Sequence, residues 1–254
     1  MSEPGDAPRR ALVLRPEPGD AATAARIEAL GGWRAVCVPL TLREETEAEP
    51  PSGPFDALVL TSAAAAGPAA ARAPWLRDAP VHAIGEATAR AAREAGFARV
   101  TSGADGRPAR DGAALGRALG PTLGGARILY PCAEERRPGF ERSARAAGIE
   151  VMAWPLYRTL ARADGTARLA EALEEGPVEA TLLHAPSAAR ALARAAADLG
   201  LDGGDRFGTL LCLSDAVADA LPDVWASRLV APMPDDASLV ACLGEPDVDR
   251  TRSS

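Results

Sequence analysis

Four short stretches bring together small residues and hydroxyls in a pattern suited to holding an anion. They are Thr61-Ser62-Ala63, Gly85-Glu86-Ala87-Thr88, Ala185-Pro186-Ser187-Ala188 and Ser214-Asp215-Ala216. Each follows an apolar run: DALVL, VHAI, EATLLH and GTLLCL. Small side chains let a ligand approach backbone N–H groups, and hydroxyls add hydrogen bonds without fixed charge. Taken singly, each hydroxyl is explained as well by helix N-capping, the commoner use. Several such ends in one chain are what a binding cleft adds. Arg15, closing LVLR, and His184, closing TLLH, stand at strand ends too. Arg15 can pair with a carboxylate or simply be solvated. A lone His at such a place is more often structural than ligand-binding.

Other chemistries lack their residues. The 28 basic residues are all Arg, so Lys Schiff-base chemistry is excluded. No G-x-G-x-x-G follows the first apolar run, no G-x-x-x-x-G-K-[ST] occurs, and no G-x-S-x-G elbow is present. With two histidines, neither beside an evident nucleophile, a hydrolytic triad has no support. Cys37, Cys132, Cys212 and Cys242 are scattered without a C-x-x-C, so they read as buried free thiols and no metal site is expected. The net charge of −7 disfavours a nucleic-acid partner but allows a local anion site. No stretch nears the ~20 apolar residues of a membrane span, and the opening MSEPGDAPRR has no secretory apolar region. The expected compartment is the cytoplasm.

The elements that must carry these ends alternate. Apolar runs at ALVLR, WRAVCVPL, DALVLT, VHAIG, FARV, ARILYP, IEVMAW, EATLLH, FGTLLCL and SRLVA are separated by helical patterns. Such alternation predicts α/β architecture with parallel sheets. Asp20 is placed to N-cap the first helix, with Ile27 and Leu30 on one face and Gly31-Gly32 as the stop. The acidic, Pro-rich LREETEAEPPSGP, 42–54, reads as a linker, SGADGRPARDG as a loop before a helix, and EPDVDRTRSS as a frayed end.

The chain also repeats itself. Leu12 matches Ile128, Gly32 matches Gly148, and Pro39-Leu40 match Pro155-Leu156, each 116 positions apart. Thr61 matches His184 at 123, and Ile84-Gly85 match Leu213-Ser214 at 129. One half is a copy of the other, with insertions between matched units. Parallel sheets bind ligands beyond the carboxyl ends of their strands, which is where both halves put the small and hydroxyl residues.

In order and spacing these residues resemble the uroporphyrinogen-III synthase family. The resemblance is carried by LVLRPEPG, by IEALGGWRAVCVPL, by DALVLTS, by the G-x-x-T-A turn at Gly85-Glu86-Ala87-Thr88-Ala89, by Pro155-Leu156-Tyr157-Arg158-Thr159 and by His184-Ala185-Pro186-Ser187. It spans about 11–243. It implies two flavodoxin-like α/β domains with parallel sheets, joined by a two-stranded connection. One domain, 1–38 with 160–254, is discontinuous. The other is 55–148, with 39–54 and 149–159 as crossovers.

The implied activity is cofactor-free closure of hydroxymethylbilane, an anionic linear tetrapyrrole, with loss of water and inversion of the last ring. The implied site has Tyr157 and Thr88 near the leaving hydroxyl. Arg15, Thr61, Ser62, Ala63, Gly85, Ala87, His184, Pro186, Ser187, Ala188, Ser214 and Ala216 would line the binding surface. A monomer is expected, in transient contact at most with the enzyme that supplies the substrate. Three positions depart from the pattern: Ala185 for a hydroxyl, Val217 for the second Thr, and Asp215 as an added negative charge. They leave open an inactive tetrapyrrole-binding or regulatory relative. A sugar- or anion-binding protein of the two-lobed periplasmic type is a further reading, against which the opening without a secretory apolar region counts.

Overall fold

Apolar runs of alternating facing become strands buried on both sides. In a computed structural model describing residues 7–17, 19–201 and 203–244, the elements follow one another as strand and helix. The chain opens with β1 (Arg9–Val13), α1 (Gly19–Ala29), β2 (Trp33–Cys37), β3 (Thr41–Glu45) and β4 (Ala57–Leu60). Next come α2 (Ala66–Arg72), β5 (Pro80–Ala83), α3 (Glu86–Glu94), β6 (Arg99–Ser102) and α4 (Gly112–Leu123). Then follow β7 (Arg127–Ala133), α5 (Gly139–Ala146), β8 (Glu150–Ala161), α6 (Gly165–Glu174) and β9 (Ala180–Leu183). The last are α7 (Pro186–Asp198), β10 (Thr209–Cys212), α8 (Asp215–Ala218), β11 (Arg228–Val230) and α9 (Asp236–Ala241).

Two compact units divide the chain, one from 1–42 with 160–254 and one from 43–159. The first holds a five-stranded sheet in the order β11-β10-β9-β1-β2, with parallel pairing throughout. Leu12 and Leu14 point to a core shared with Leu169, Leu192 and Val217, on the side of α6, α7 and α8. Ala11 and Val13 point the other way, to Ile27, Leu239 and Val240 of α1 and α9. Helices therefore cover both faces, as a parallel sheet requires.

The second sheet runs β3-β8-β7-β4-β5-β6. Leu58, Leu60 and Leu129 face α2 and α3 with Trp154, while Ala57, Val59 and Ile128 face α4 and α5 with Phe140. Its core order, β8-β7-β4-β5-β6, repeats the order β2-β1-β9-β10-β11 strand for strand. The correspondence is the one the sequence repeat gives: β7 with β1, β8 with β2, β4 with β9, β5 with β10. Each sheet reverses its winding between the matched pair β1/β9 or β7/β4, which is where a doubly wound sheet opens a crevice.

Several expected elements are corrected. Residues 41–45, read as linker from Leu42 on, form β3, an edge strand beside β8. Its Thr and Leu begin an extended segment that the acidic run masked. The next stretch is pinned: Arg72 donates to the carbonyls of Thr46 and Ala48, each at 2.6 Å, and Trp154 Nε1 donates to Ala48 at 2.7 Å. β8 runs on to Ala161, through the expected crossover. Asp20 lies inside the first turn of α1 rather than ahead of it, and Leu30 is 51% exposed rather than sharing the buried face of Ile27. Gly31 and Gly32 do stop the helix, with φ of 71° and 68°. Cys37 is only partly buried, unlike Cys132, Cys212 and Cys242. The EPDVDRTRSS tail lies outside the described residues.

Candidate functional site

Parallel winding gathers the carboxyl ends of neighbouring strands along one edge of each sheet. In the 43–159 unit, β4, β5 and β7 end side by side. Thr61 follows β4, and its Oγ1 lies 2.9 Å from the Tyr130 hydroxyl of β7, across the winding reversal. Tyr130 is 3% exposed and packs against Phe140 with the rings tilted at 55°. Burial pushes its phenol up to about 12, so it is a neutral hydrogen-bonding group. Ser62 is spent on capping the next 3-10 turn, accepting from Ala64 N at 3.3 Å. Ala63 is exposed.

Beyond β5, Gly85 is the extended N-cap of α3 and supplies no side-chain cap. The first N–H groups of that helix are left for another acceptor. Ala87 is exposed and Thr88 is buried. Tyr157 lies on β8, and its carbonyl accepts from Glu134 N at 2.8 Å. Opposite it the ladder slips: Cys132 pairs with Pro155, but Ala133 pairs with Tyr157. The extra residue bends the strand. It lets Trp154, Leu156 and Tyr157 all reach one core, where alternation alone would send Tyr157 to the other face.

The other unit carries the second set. Ala185 is the N-cap of α7, Pro186 its first residue, Ser187 is half-buried and Ala188 is buried. The extended backbone at Ala185, φ −152° and ψ 150°, is what an N-cap needs, so loss of its hydroxyl leaves the turn intact. Ser214 is the N-cap of α8 without making the side-chain bond, and Ala216 is half-buried. Val217 occupies the position matched to Thr88 and is 1% exposed within the core. Asp215 is exposed.

Arg15 and His184 lie just past the ends of the adjacent strands β1 and β9, and a residue absent from the sequence reading joins them. Asp236, at the start of α9, accepts through Oδ1 from His184 Nε2 at 2.7 Å and from Thr23 Oγ1 at 2.7 Å. The same oxygen lies 3.5 Å from Arg15 Nη1, and Oδ2 accepts from Arg26. Burial alone would raise the Asp236 pKa, but bonds from His184, Thr23 and Arg26 outweigh it and hold the carboxyl well below its usual range. Burial lowers His184, with Asp236 opposing and Arg15 adding to the effect.

The His184 side chain is 8% exposed, and its Nδ1 is buried without a partner. Its nitrogens are thus turned inward, which favours the structural use of this His. No sequence signal pairs Asp236 with a His 52 positions away. The PDD turn before α9 marks a helix start, and the N-cap role falls to Asp235, which accepts from Ser238 N at 2.8 Å. Among the described residues no His, Cys, Asp and Glu cluster is arranged to hold a metal ion, and no helix is long and apolar enough to cross a membrane.

Two doubly wound α/β units, each with small and hydroxyl residues along the carboxyl edge of its parallel sheet, define the class of fold. The family model described as uroporphyrinogen-III synthase HemD matches residues 21–241, and the chain belongs to that family. Uroporphyrinogen-III synthetase from Helicobacter pylori is similar in structure, with 17% identity over 92% of this chain and 98% of that one, at a TM-score of 0.61. A mutant uroporphyrinogen III synthase from Thermus thermophilus is similar at 21% identity over 92% and 96%, with a TM-score of 0.52. These two likenesses speak to the fold. No curated protein sequence gives a significant match.

Proposed function

We propose that the chain is an active uroporphyrinogen-III synthase, a hydro-lyase that closes hydroxymethylbilane with inversion of its last ring. The observation that carries this is the family match through both halves, residues 21–241. The reaction asks chiefly for orientation. The substrate's hydroxyl leaves as water, giving an azafulvene. The substituted carbon of ring D attacks it, and the resulting spiro intermediate opens and recloses as the III isomer.

Holding a flexible chain in that geometry takes many weak contacts. The substrate's carboxylates suit the N–H groups at the start of α3, after Gly85, and the Ser187 N–H of α7, the neighbouring Pro186 having none and Ala188 N donating to the Ala185 carbonyl. Arg15 supplies a fixed cation. Thr61 offers a hydroxyl held by Tyr130. Tyr157 and Thr88 act on the departing hydroxyl, Tyr157 by donating a hydrogen bond from its O–H. The departures at Ala185 and Val217 leave the local backbone and core intact, which supports an active enzyme over an inactive relative. A monomer in the cytoplasm fits this role.

The test is a product-isomer assay. Purified protein is incubated with fresh hydroxymethylbilane, the products are oxidised, and uroporphyrins I and III are separated. An excess of isomer III over the protein-free control is expected. Isomer I alone, the product of spontaneous closure, overturns the proposal.

A further inference from the structure

Arg15 lies two residues beyond the end of β1, at the winding reversal of its sheet, and three features hold its guanidinium there. Asp236 Oδ1 lies 3.5 Å from Nη1, and Thr23 Oγ1 lies 3.4 Å from the same nitrogen. Gly19 makes the third side: a Cβ there would stand 2.3 Å from Arg15 Nε and 2.7 Å from Cζ. The guanidinium thus occupies the space a side chain at position 19 would take. Asp236 is itself oriented from three elements, by Thr23 and Arg26 of α1, by His184 at the end of β9 and by its own place at the start of α9. Two guanidinium charges against one carboxylate leave the group net cationic while His184 is neutral. An unheld Arg loses rotamer entropy on meeting an anion. A seated one has lost much of it already.

We propose that Asp236 and Gly19 are positioning residues that seat Arg15 across the β1/β9 reversal as a preorganised cation for a substrate carboxylate. The inference rests on the proposed function for the ligand and on the geometry above for the seat. Within the seat Asp236 takes the proton-bearing Nε2 of His184, so the ring is fixed as the Nε2–H tautomer and serves the carboxylate rather than the ligand.

The experiment has a kinetic arm and a ligand-free arm. Asp236→Asn keeps an acceptor oxygen for His184 but removes the charge facing Arg15. Gly19→Ala leaves every charge in place and fills the guanidinium's space. Each is expected to raise KM for hydroxymethylbilane about threefold or more with little change in kcat, the mark of lost ground-state binding. In an Arg15→Ala background neither should raise KM further, because both act through the same side chain. Either substitution keeping its full effect in that background overturns the proposal, as does an Arg15→Ala enzyme with unchanged KM.

The second arm is nitrogen NMR of the free protein. Wild type should show His184 protonated at Nε2 and slowed rotation of the Arg15 guanidinium, the latter lost in Asp236→Asn and Gly19→Ala. A proton on Nδ1, or an Arg15 signal equally mobile in all three proteins, overturns the seat. Absence of turnover by wild type would instead sink the proposed function, and the NMR arm would still decide the seat.

Discussion

Ser62 and Ser214 bring the same hydroxyl to the same kind of strand end and use it differently. Ser62 caps a 3-10 turn, whereas Ser214 stands at the cap of α8 without making that bond. Residue type alone does not separate these uses, because the difference lies in the turn that follows. Thr88 and Val217 show the reverse case, matched positions that are both buried, so a hydroxyl there is optional for packing. The strand-end positions of Thr61, Gly85, Arg15 and His184 were legible from apolar runs ending in small or polar residues. Tyr130 and Asp236 were not, since each acts through a partner distant in sequence.

Tyr157→Phe removes one oxygen from a core-packed ring. It should slow turnover far more than it weakens uroporphyrin binding, as compared by steady-state rates and equilibrium titration. Equal rates would remove Tyr157 from the mechanism.

Burial lowers His82, partly offset by the Gly103 carbonyl, and lowers His184, partly offset by Asp236. Below the ordinary 6.5 the unfolded chain therefore takes up protons that the folded one resists. Their contribution is complete above that value and is lost as pH falls through it. Asp236, also depressed, adds a further loss toward more acid pH. Urea midpoints should fall from about pH 7 to about pH 5, and His184→Gln, which keeps a donor but cannot titrate, should flatten the slope.

Helix and strand identities followed the periodicity because the central strands β1, β4, β9 and β10 are buried on both faces and the helices that cover them each have one buried face. Boundaries followed it less well. Strand β3 was hidden because its outer residues are charged, as an edge strand allows. The slip opposite Tyr157 was hidden because a bulge adds a residue without altering composition.

Close helix packing in this Ala- and Gly-rich chain gives the element-scale prediction. Gly116 of α4 lies against α5, where a Cβ would stand 2.8 Å from Ala144 N and 2.9 Å from the Phe140 carbonyl oxygen. Gly116→Ala must push the two helices apart and should cost about 1–3 kcal/mol in chemical denaturation. Gly67 of α2 has open space around it, so Gly67→Ala should be neutral or stabilise by up to about 1 kcal/mol. Equal effects at the two sites would refute this reading.

Each sheet has helices on both faces and its own pair of cores. A fragment of residues 41–161 includes every strand of the six-stranded sheet and should fold alone, unfolding cooperatively in urea by circular dichroism. A featureless melt would mean that its core depends on the rest of the chain.

The matching strand orders have one more consequence. Read along the sequence, the chain is a head-to-tail doubling of one five-strand module, the second copy starting near β7. Read in space, neither module stays whole. One sheet takes the first two strands of the early copy and the last three of the late copy, and the other sheet takes the remainder. The strand order is that of two copies of one module that have exchanged strands within a single polypeptide, the exchange made where the chain passes through β3 and β8. Each half of the sequence thus carries one strand for every position of the shared five-strand order, and each sheet is completed only by strands from the other half.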